Sequence, residues 1–171
     1  HAANSAAAMA RPETHLDVVR VGIAMYGISP GTQVAGRAEL RPAMSLRSRV
    51  SHVRRLSAGE AVSYGHRYRL ERDSWVATVP IGYADGYLRV LSAGALVLIG
   101  GTLLPVAGTV TMDQIVVDCG DHEVELGAEV VLFGRQGRRR ITAEQVAGWA
   151  GTIGYEVVCG VSARVPRRYR G

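Results

Sequence analysis

The chain has 171 residues, 47% of them hydrophobic and 20% charged, which excludes disorder and leaves room for one ordinary domain with a piece of a second. Its formal net charge is +5, and all 20 basic residues are arginine. That balance brings nucleic acid into view, but acidic residues are interleaved over most of the chain and only one Phe is present for base stacking, so a solvated basic surface is expected instead.

In chain order, Asn4 to Arg11 is Ala-rich and reads as a helix or a loop leading into one. Asp17-Val18-Val19-Arg20-Val21-Gly22-Ile23 is a β-branched run with one Arg inside it, the pattern of a short buried strand. Ser29-Pro30-Gly31 ends it, and Thr32 to Pro42 reads as a linker. From Ala43 onward the signal is many short strands. Ser45 to Val53 alternates in part, Trp75 to Ile81 is an apolar run, and Gly100-Gly101 joins Ala95–Ile99 to Thr102–Val106 as a tight hairpin. Ile115 to Val117 and Glu129 to Phe133 follow, bounded by Gly120 and Gly134. Such spacing predicts a closed or nearly closed β structure. Thr142, with Gln145 three residues on, is a capping box that opens a helix ended by Gly151, and Glu156 to Val161 reads as a final strand.

Cys119 and Cys159 lack CxxC spacing and a His cluster, so no metal site is expected. No signal peptide and no apolar run near ~18 residues is present, which points to a cytoplasmic chain without a membrane span. His1 in first place suggests a fragment or a processed chain.

Polar constellations sit in apolar or Gly-rich surroundings: Asn4-Ser5-Ala-Ala; Val19-Arg20-Val-Gly22-Ile23-Ala-Met-Tyr26-Gly27; Ser63-Tyr64-Gly65; Pro80-Ile-Gly82-Tyr83-Ala84-Asp85-Gly86-Tyr87; Met112-Asp113-Gln114; Gly151-Thr-Ile-Gly154-Tyr155-Glu156; and Arg164-Val-Pro-Arg167. Each alone has a plain structural explanation. Ala-Asp-Gly is a turn signal, Asn4 and Ser5 suit a helix cap, and a Tyr beside Gly is often a turn aromatic or a core ring bonded through its hydroxyl.

In this order and number they resemble the alanine racemase family over nearly the whole chain. The resemblance implies a mainly β fold: residues 1–33 as the last part of a (β/α)8 barrel that binds pyridoxal 5'-phosphate (PLP), and residues 34–171 as the C-terminal β domain. It implies a racemase for a small amino acid, alanine by preference, supplying D-alanine for peptidoglycan from a two-fold dimer with shared active sites. Relatives acting on serine, lysine or several amino acids, and a stand-alone β module for binding or dimerisation, are the alternatives. Tyr64 corresponds to the tyrosine base, which in the family reaches the active site of the neighbouring subunit. Arg20 corresponds to the arginine facing the pyridine nitrogen. A guanidinium keeps its proton at neutral pH, so the ring nitrogen stays unprotonated and the electron sink is restrained. Asn4, Ser5, Gly22, Ile23 and Tyr155 correspond to positions around the cofactor phosphate, and the Met112 amide to a contact with the substrate carboxylate. Tyr83 and Asp113 correspond to the narrow entrance, and His1 to a partner of the arginine. The family's second base is the lysine that holds PLP; these 171 residues contain none, so alone they are expected to be inactive.

Overall fold

The computed structural model describes residues 1–92 and 94–169. It forms two compact units, His1–Met44 and Ser45–Gly171.

In the first unit, Asn4 caps helix α1 (Ser5–Ala10), its side-chain oxygen accepting from the Ala7 amide at 3.0 Å. The segments on either side of α1 meet as parallel neighbours. Asn4 bridges Arg20, and the Arg20 amide donates to the Ala3 carbonyl at 2.8 Å. This is a minimal strand–helix–strand crossover. The strand expected over Asp17 to Ile23 shrinks to that one bridge, with Val18 and Val19 exposed and Ile23 opening a short 3₁₀ turn, Ile23–Tyr26. The reason is pairing: a buried strand needs neighbours on both edges, and the described residues provide one short segment on one edge. The expected linker is also packed. Val34 is buried, the Ala43 amide donates to the Tyr26 carbonyl, and a side chain at Gly27 would fall 2.0 Å from the Arg41 carbonyl oxygen.

In the second unit, β1 (Leu46–Arg49), β6 (Leu96–Ile99), β7 (Thr102–Pro105), β9 (Glu129–Gln136) and β10 (Arg139–Ile141) form an antiparallel sheet ordered β1-β9-β6-β7, with β10 also on β9. A second sheet, β2-β5-β8, joins His52–Leu56, Ser74–Val79 and Ile115–Gly120. The chain bends from one sheet to the other between β1 and β2: the Val50 amide bonds the Ala128 carbonyl beside β9, and the Ser51 amide bonds Thr78 in β5. At the opposite edges Val106, just past β7, bridges Val117 of β8. Both pairs of edges are thereby joined, which makes the β structure closed and leaves few free strand edges. Val97, Leu98, Ile115, Val117, Val130, Val131 and Leu132 fill its core. The two-residue turn at Gly100-Gly101 has φ of 56° and 76°, values that favour glycine.

α2 (Ala143–Ala150) has the capping box read from Thr142 and Gln145 and ends at Gly151 in the left-handed region. The expected last strand is instead a helix, α3 (Gly154–Gly160). Gly154, Val157, Val158 and Val161 are buried, and their spacing is that of one helical face, which outweighs the weak strand preference of the valines. Among the described residues no helix is long and apolar enough to cross a membrane.

Because Leu132 is fully buried, Leu132→Ala is expected to cost about 2–5 kcal/mol. Thr142→Ala, which removes only the cap, is expected to cost about 1 kcal/mol. Urea unfolding midpoints for the two variants check this order, and a cap variant less stable than the core variant would contradict it.

Candidate functional site

In the first unit the resemblance residues gather where the two parallel segments end. Ser5 follows Asn4 and is only 6% exposed, and its hydroxyl accepts from the Gly22 amide at 3.0 Å and the Ala24 amide at 3.4 Å. With two amides already on its oxygen, the hydroxyl hydrogen is left to donate outward. The Ile23 amide, at the start of its 3₁₀ turn, has no acceptor among the described residues. A side chain at Gly22 would meet nothing within 4 Å, so the backbone there lies open. A phosphate monoester asks for this donor chemistry, hydroxyl and main-chain N–H groups at the carboxyl ends of parallel strands, and the Ser5 hydroxyl and Ile23 amide fit it, with Asn4 beside them and Gly22 leaving the backbone open to close approach. Arg20 is exposed, and its guanidinium has no partner among the described residues. The expected pairing with His1 is not made. The ladder sets Asn4 opposite Arg20, which leaves His1 three residues further down its segment and exposed.

In the second unit Tyr64 sits at the tip of a two-stranded ribbon, β3 (Ala61–Val62) and β4 (Tyr68–Arg69). Val62, Leu70 and Tyr68 pack with Leu56, Val76, Ala107 and Val116 in an apolar cluster that holds the ribbon down. The Tyr68 hydroxyl donates to Asp118 Oδ2 at 2.9 Å; burial first, and then that carboxylate, push its pKa up to about 12. At the tip Ser63 has φ 64° and ψ 177°, a region rarely entered except by glycine. Two bonds hold it there: Ser63 Oγ donates to the Thr109 carbonyl at 2.8 Å, and Thr109 Oγ1 donates to the Tyr64 carbonyl at 3.2 Å. Gly108 makes room, since a side chain there would fall 2.7 Å from Ser63 Cβ. The result is a Tyr64 side chain 74% exposed on a fixed backbone.

The Gly82–Gly86 loop docks against the Thr111–Gln114 loop through main chain. The Tyr83 and Ala84 amides donate to the Thr111 and Met112 carbonyls, both at 3.0 Å. A Gly82 side chain would lie 2.2 Å from the Thr111 carbonyl oxygen, so only glycine permits the approach. Thr111 Oγ1 donates to the Gln114 carbonyl and accepts the Gln114 amide, closing the second loop. Tyr83, Met112 and Asp113 are thus brought together and are exposed, while the Met112 amide has no acceptor among the described residues. Tyr87, from the same motif as Tyr83, is buried; burial alone pushes its phenol pKa up, and its hydroxyl has no partner among the described residues. Tyr155 is partly exposed in the first turn of α3.

Sequence reasoning missed the residues that hold these loops. Ser63, Thr109 and Tyr68 fix the ribbon, and Asp85 and Arg164 tie the docked loops. Their partners lie 45 to 79 residues away along the chain, and no local pattern reports such pairs. Arg164 and Asp85 were legible only as members of family motifs. Among the described residues no group of three His, Cys, Asp or Glu side chains is placed to hold a metal.

The sequence profile described as "Alanine racemase, C-terminal domain" matches residues 43–169, and that described as "Alanine racemase, N-terminal domain" matches residues 1–30. The alanine racemase of Symbiobacterium thermophilum is 53% identical over 172 residues, a match that covers 100% of this chain and 46% of that protein. The crystal structure of alanine racemase from E. faecalis superposes with a TM-score of 0.92 at 43% identity, covering 98% of this chain and 45% of that one. The alanine racemase of Bacillus anthracis, solved with bound L-Ala-P, superposes with a TM-score of 0.91 at 44% identity over 95% of this chain and 42% of that one. The chain therefore spans about half the length of the relatives it matches.

The Tyr68–Asp118 bond gives the ribbon a titration signature. Tyr68→Phe is expected to cost about 1 kcal/mol at neutral pH, because Asp118 Oδ2 loses its donor. The folded phenol keeps its proton to about 12 against 10.0 for a free one, so wild-type stability from this group is complete below pH 10 and falls as pH rises from 10 to 12. The variant is expected to lose less stability across that window. Urea midpoints at pH 8 and 11 check this; an equal or steeper alkaline fall in the variant would contradict it.

Proposed function

The chain belongs to the alanine racemase family, and from that membership we propose that it is the C-terminal part of a PLP-dependent racemase interconverting L- and D-alanine. Residues 1–33 are read as the end of the PLP barrel and 34–171 as the C-terminal β domain; the profile matches leave 31–42 between them, a stretch that packs in the first compact unit. The complete enzyme is read as a cytoplasmic two-fold dimer supplying D-alanine for peptidoglycan. The preference for alanine over serine or lysine rests on the names of the relatives.

Racemisation requires a proton to leave Cα on one face and another to arrive on the opposite face, so two bases are needed. Tyr64 is proposed as one. The observation that carries the reading is its presentation: an exposed phenol on a backbone held at a strained serine by two hydrogen bonds. A tyrosine serving only the core would be turned inward, as Tyr87 is. The second base is read as the family's lysine, a residue type these 171 residues do not contain.

PLP, when bound, supplies the electron sink that lets Cα give up its proton. Asn4, Ser5 and the Ile23 amide are proposed to hold its phosphate, the Ser5 hydroxyl donating while its oxygen holds the Gly22 and Ala24 amides, and Gly22 is proposed to let the phosphate approach the backbone closely. Tyr155 is proposed as a further phosphate-binding residue from the resemblance. Arg20 is proposed to face the pyridine nitrogen, where a guanidinium donates without giving up its proton. The Met112 amide is proposed to bind the substrate carboxylate, its carbonyl being engaged by Ala84 and its N–H open. Tyr83 and Asp113 are proposed to narrow the entrance.

In the full-length, PLP-loaded enzyme, Tyr64→Phe is expected to lower kcat/KM in both directions by about 10²–10⁴-fold. In deuterated water it should abolish Cα exchange for one enantiomer while exchange of the other, through the lysine face, persists. Normal exchange of both enantiomers, followed by proton NMR, would contradict the assignment.

A further inference from the structure

The two loops proposed to form the substrate entrance are tied by a residue outside both of them. Arg164 lies in the segment after α3. Its Nε stands 3.4 Å from Asp85 Oδ1, and its terminal nitrogen donates to Asp113 Oδ1 at 2.7 Å. Asp85 is no loose surface carboxylate. Its side chain is 13% exposed, its second oxygen accepts the Gly82 amide at 2.9 Å, and its carbonyl accepts the Ser162 amide at 3.0 Å. Asp113 is open to solvent and belongs to the loop that carries Met112. One guanidinium thus spans a fixed carboxylate in the Gly82–Gly86 loop and a solvent-exposed one in the Thr111–Gln114 loop, across the main-chain bonds from Tyr83 and Ala84.

The backbone behind Arg164 is itself anchored. A side chain at Gly86 would fall 2.2 Å from the Gly160 carbonyl oxygen, so the loop abuts the end of α3. Arg167 donates to the Val161, Ser162 and Val165 carbonyls and closes that turn. Arg164 therefore projects from a rigid base onto both loops.

We propose that Arg164 is a positioning residue for the substrate entrance: by spanning Asp85 and Asp113 it sets the Tyr83 loop and the Met112 amide relative to each other, and so governs substrate capture and not proton transfer. This rests on Tyr83, Met112 and Asp113 serving substrate entry and binding as proposed. The span needs the planar fork of arginine. A lysine in its place presents a single ammonium that satisfies one carboxylate at a time. Exposed ion pairs of this kind add little to stability, so the effect belongs to loop geometry and not to the fold.

The test uses the full-length, PLP-loaded enzyme and its Arg164→Gln and Arg164→Lys variants. Arg164→Gln is expected to raise KM for alanine about tenfold with kcat within about twofold, the signature of lost binding without lost chemistry. Arg164→Lys is expected to fall between wild type and Arg164→Gln. Amide hydrogen exchange, which needs no activity, is expected to quicken in residues 82–86 and 111–114 of Arg164→Gln, while Tm stays within about 3 °C of wild type. Unchanged exchange in those segments overturns the proposal, as does a fall in kcat without a rise in KM. Absence of racemase activity in the wild-type enzyme would refute the functional reading instead, and the exchange comparison would still decide whether Arg164 ties the loops.

Discussion

A serine held at positive φ is the constraint on which the rest of this structure depends. Ser63 adopts a backbone conformation costing about 1–3 kcal/mol for a residue with a side chain, and it does so one position before Tyr64. The cost is offset locally by the bond from its hydroxyl to Thr109, by the return bond from Thr109 to the Tyr64 carbonyl, and by the space that Gly108 leaves. The turn sends the tyrosine out of the domain. Everything behind it, the apolar cluster under the ribbon and the Tyr68–Asp118 bond, keeps that outward direction from relaxing.

The second unit applies the same logic twice. A closed β structure, its two sheets joined at both edges, is stiff because few strand ends are free to fray. Loops mounted on it inherit that stiffness where main chain packs on main chain, as at Gly82 against Thr111 and at Gly86 against Gly160. The first unit has a smaller version: one parallel bridge brings Asn4 and Arg20 side by side, and Ser5 stitches the Gly22 turn to the start of α1. Tyr64, Tyr83, Asp113 and Arg20 are left exposed while their backbones are tied. A binding site needs that combination, because ordering has already been achieved before the ligand arrives.

How much of the fold and the site was legible in the sequence depended on the range of the interactions. The capping box at Thr142 and Gln145, the Gly100-Gly101 hairpin and the run of short strands are local signals, and all are present in the structure. The strand read over Glu156 to Val161 failed because three valines suggested a strand, whereas burial at Gly154, Val157, Val158 and Val161 follows the helical repeat. The strand read over Asp17 to Ile23 failed for want of a second neighbour. Tyr64, Tyr83, Met112 and Asp113 were visible as motif members, but nothing local distinguished exposed Tyr83 from buried Tyr87 a few residues on. The roles of Ser63, Asp85 and Arg164 exist only in three dimensions, through partners distant in sequence.

Tyr64 is proposed to point outward because it serves an active site on the neighbouring subunit, and subunit complementation tests that most directly. Full-length Tyr64→Phe protein is mixed and reassociated with full-length protein whose barrel lysine is replaced, each being inactive by itself. If the tyrosine works across the dimer, the mixed dimer contains one site with both bases intact and racemase activity returns. If activity stays absent while mixed dimers demonstrably form, Tyr64 acts within its own subunit, and its exposed position has some other cause than service to a neighbour.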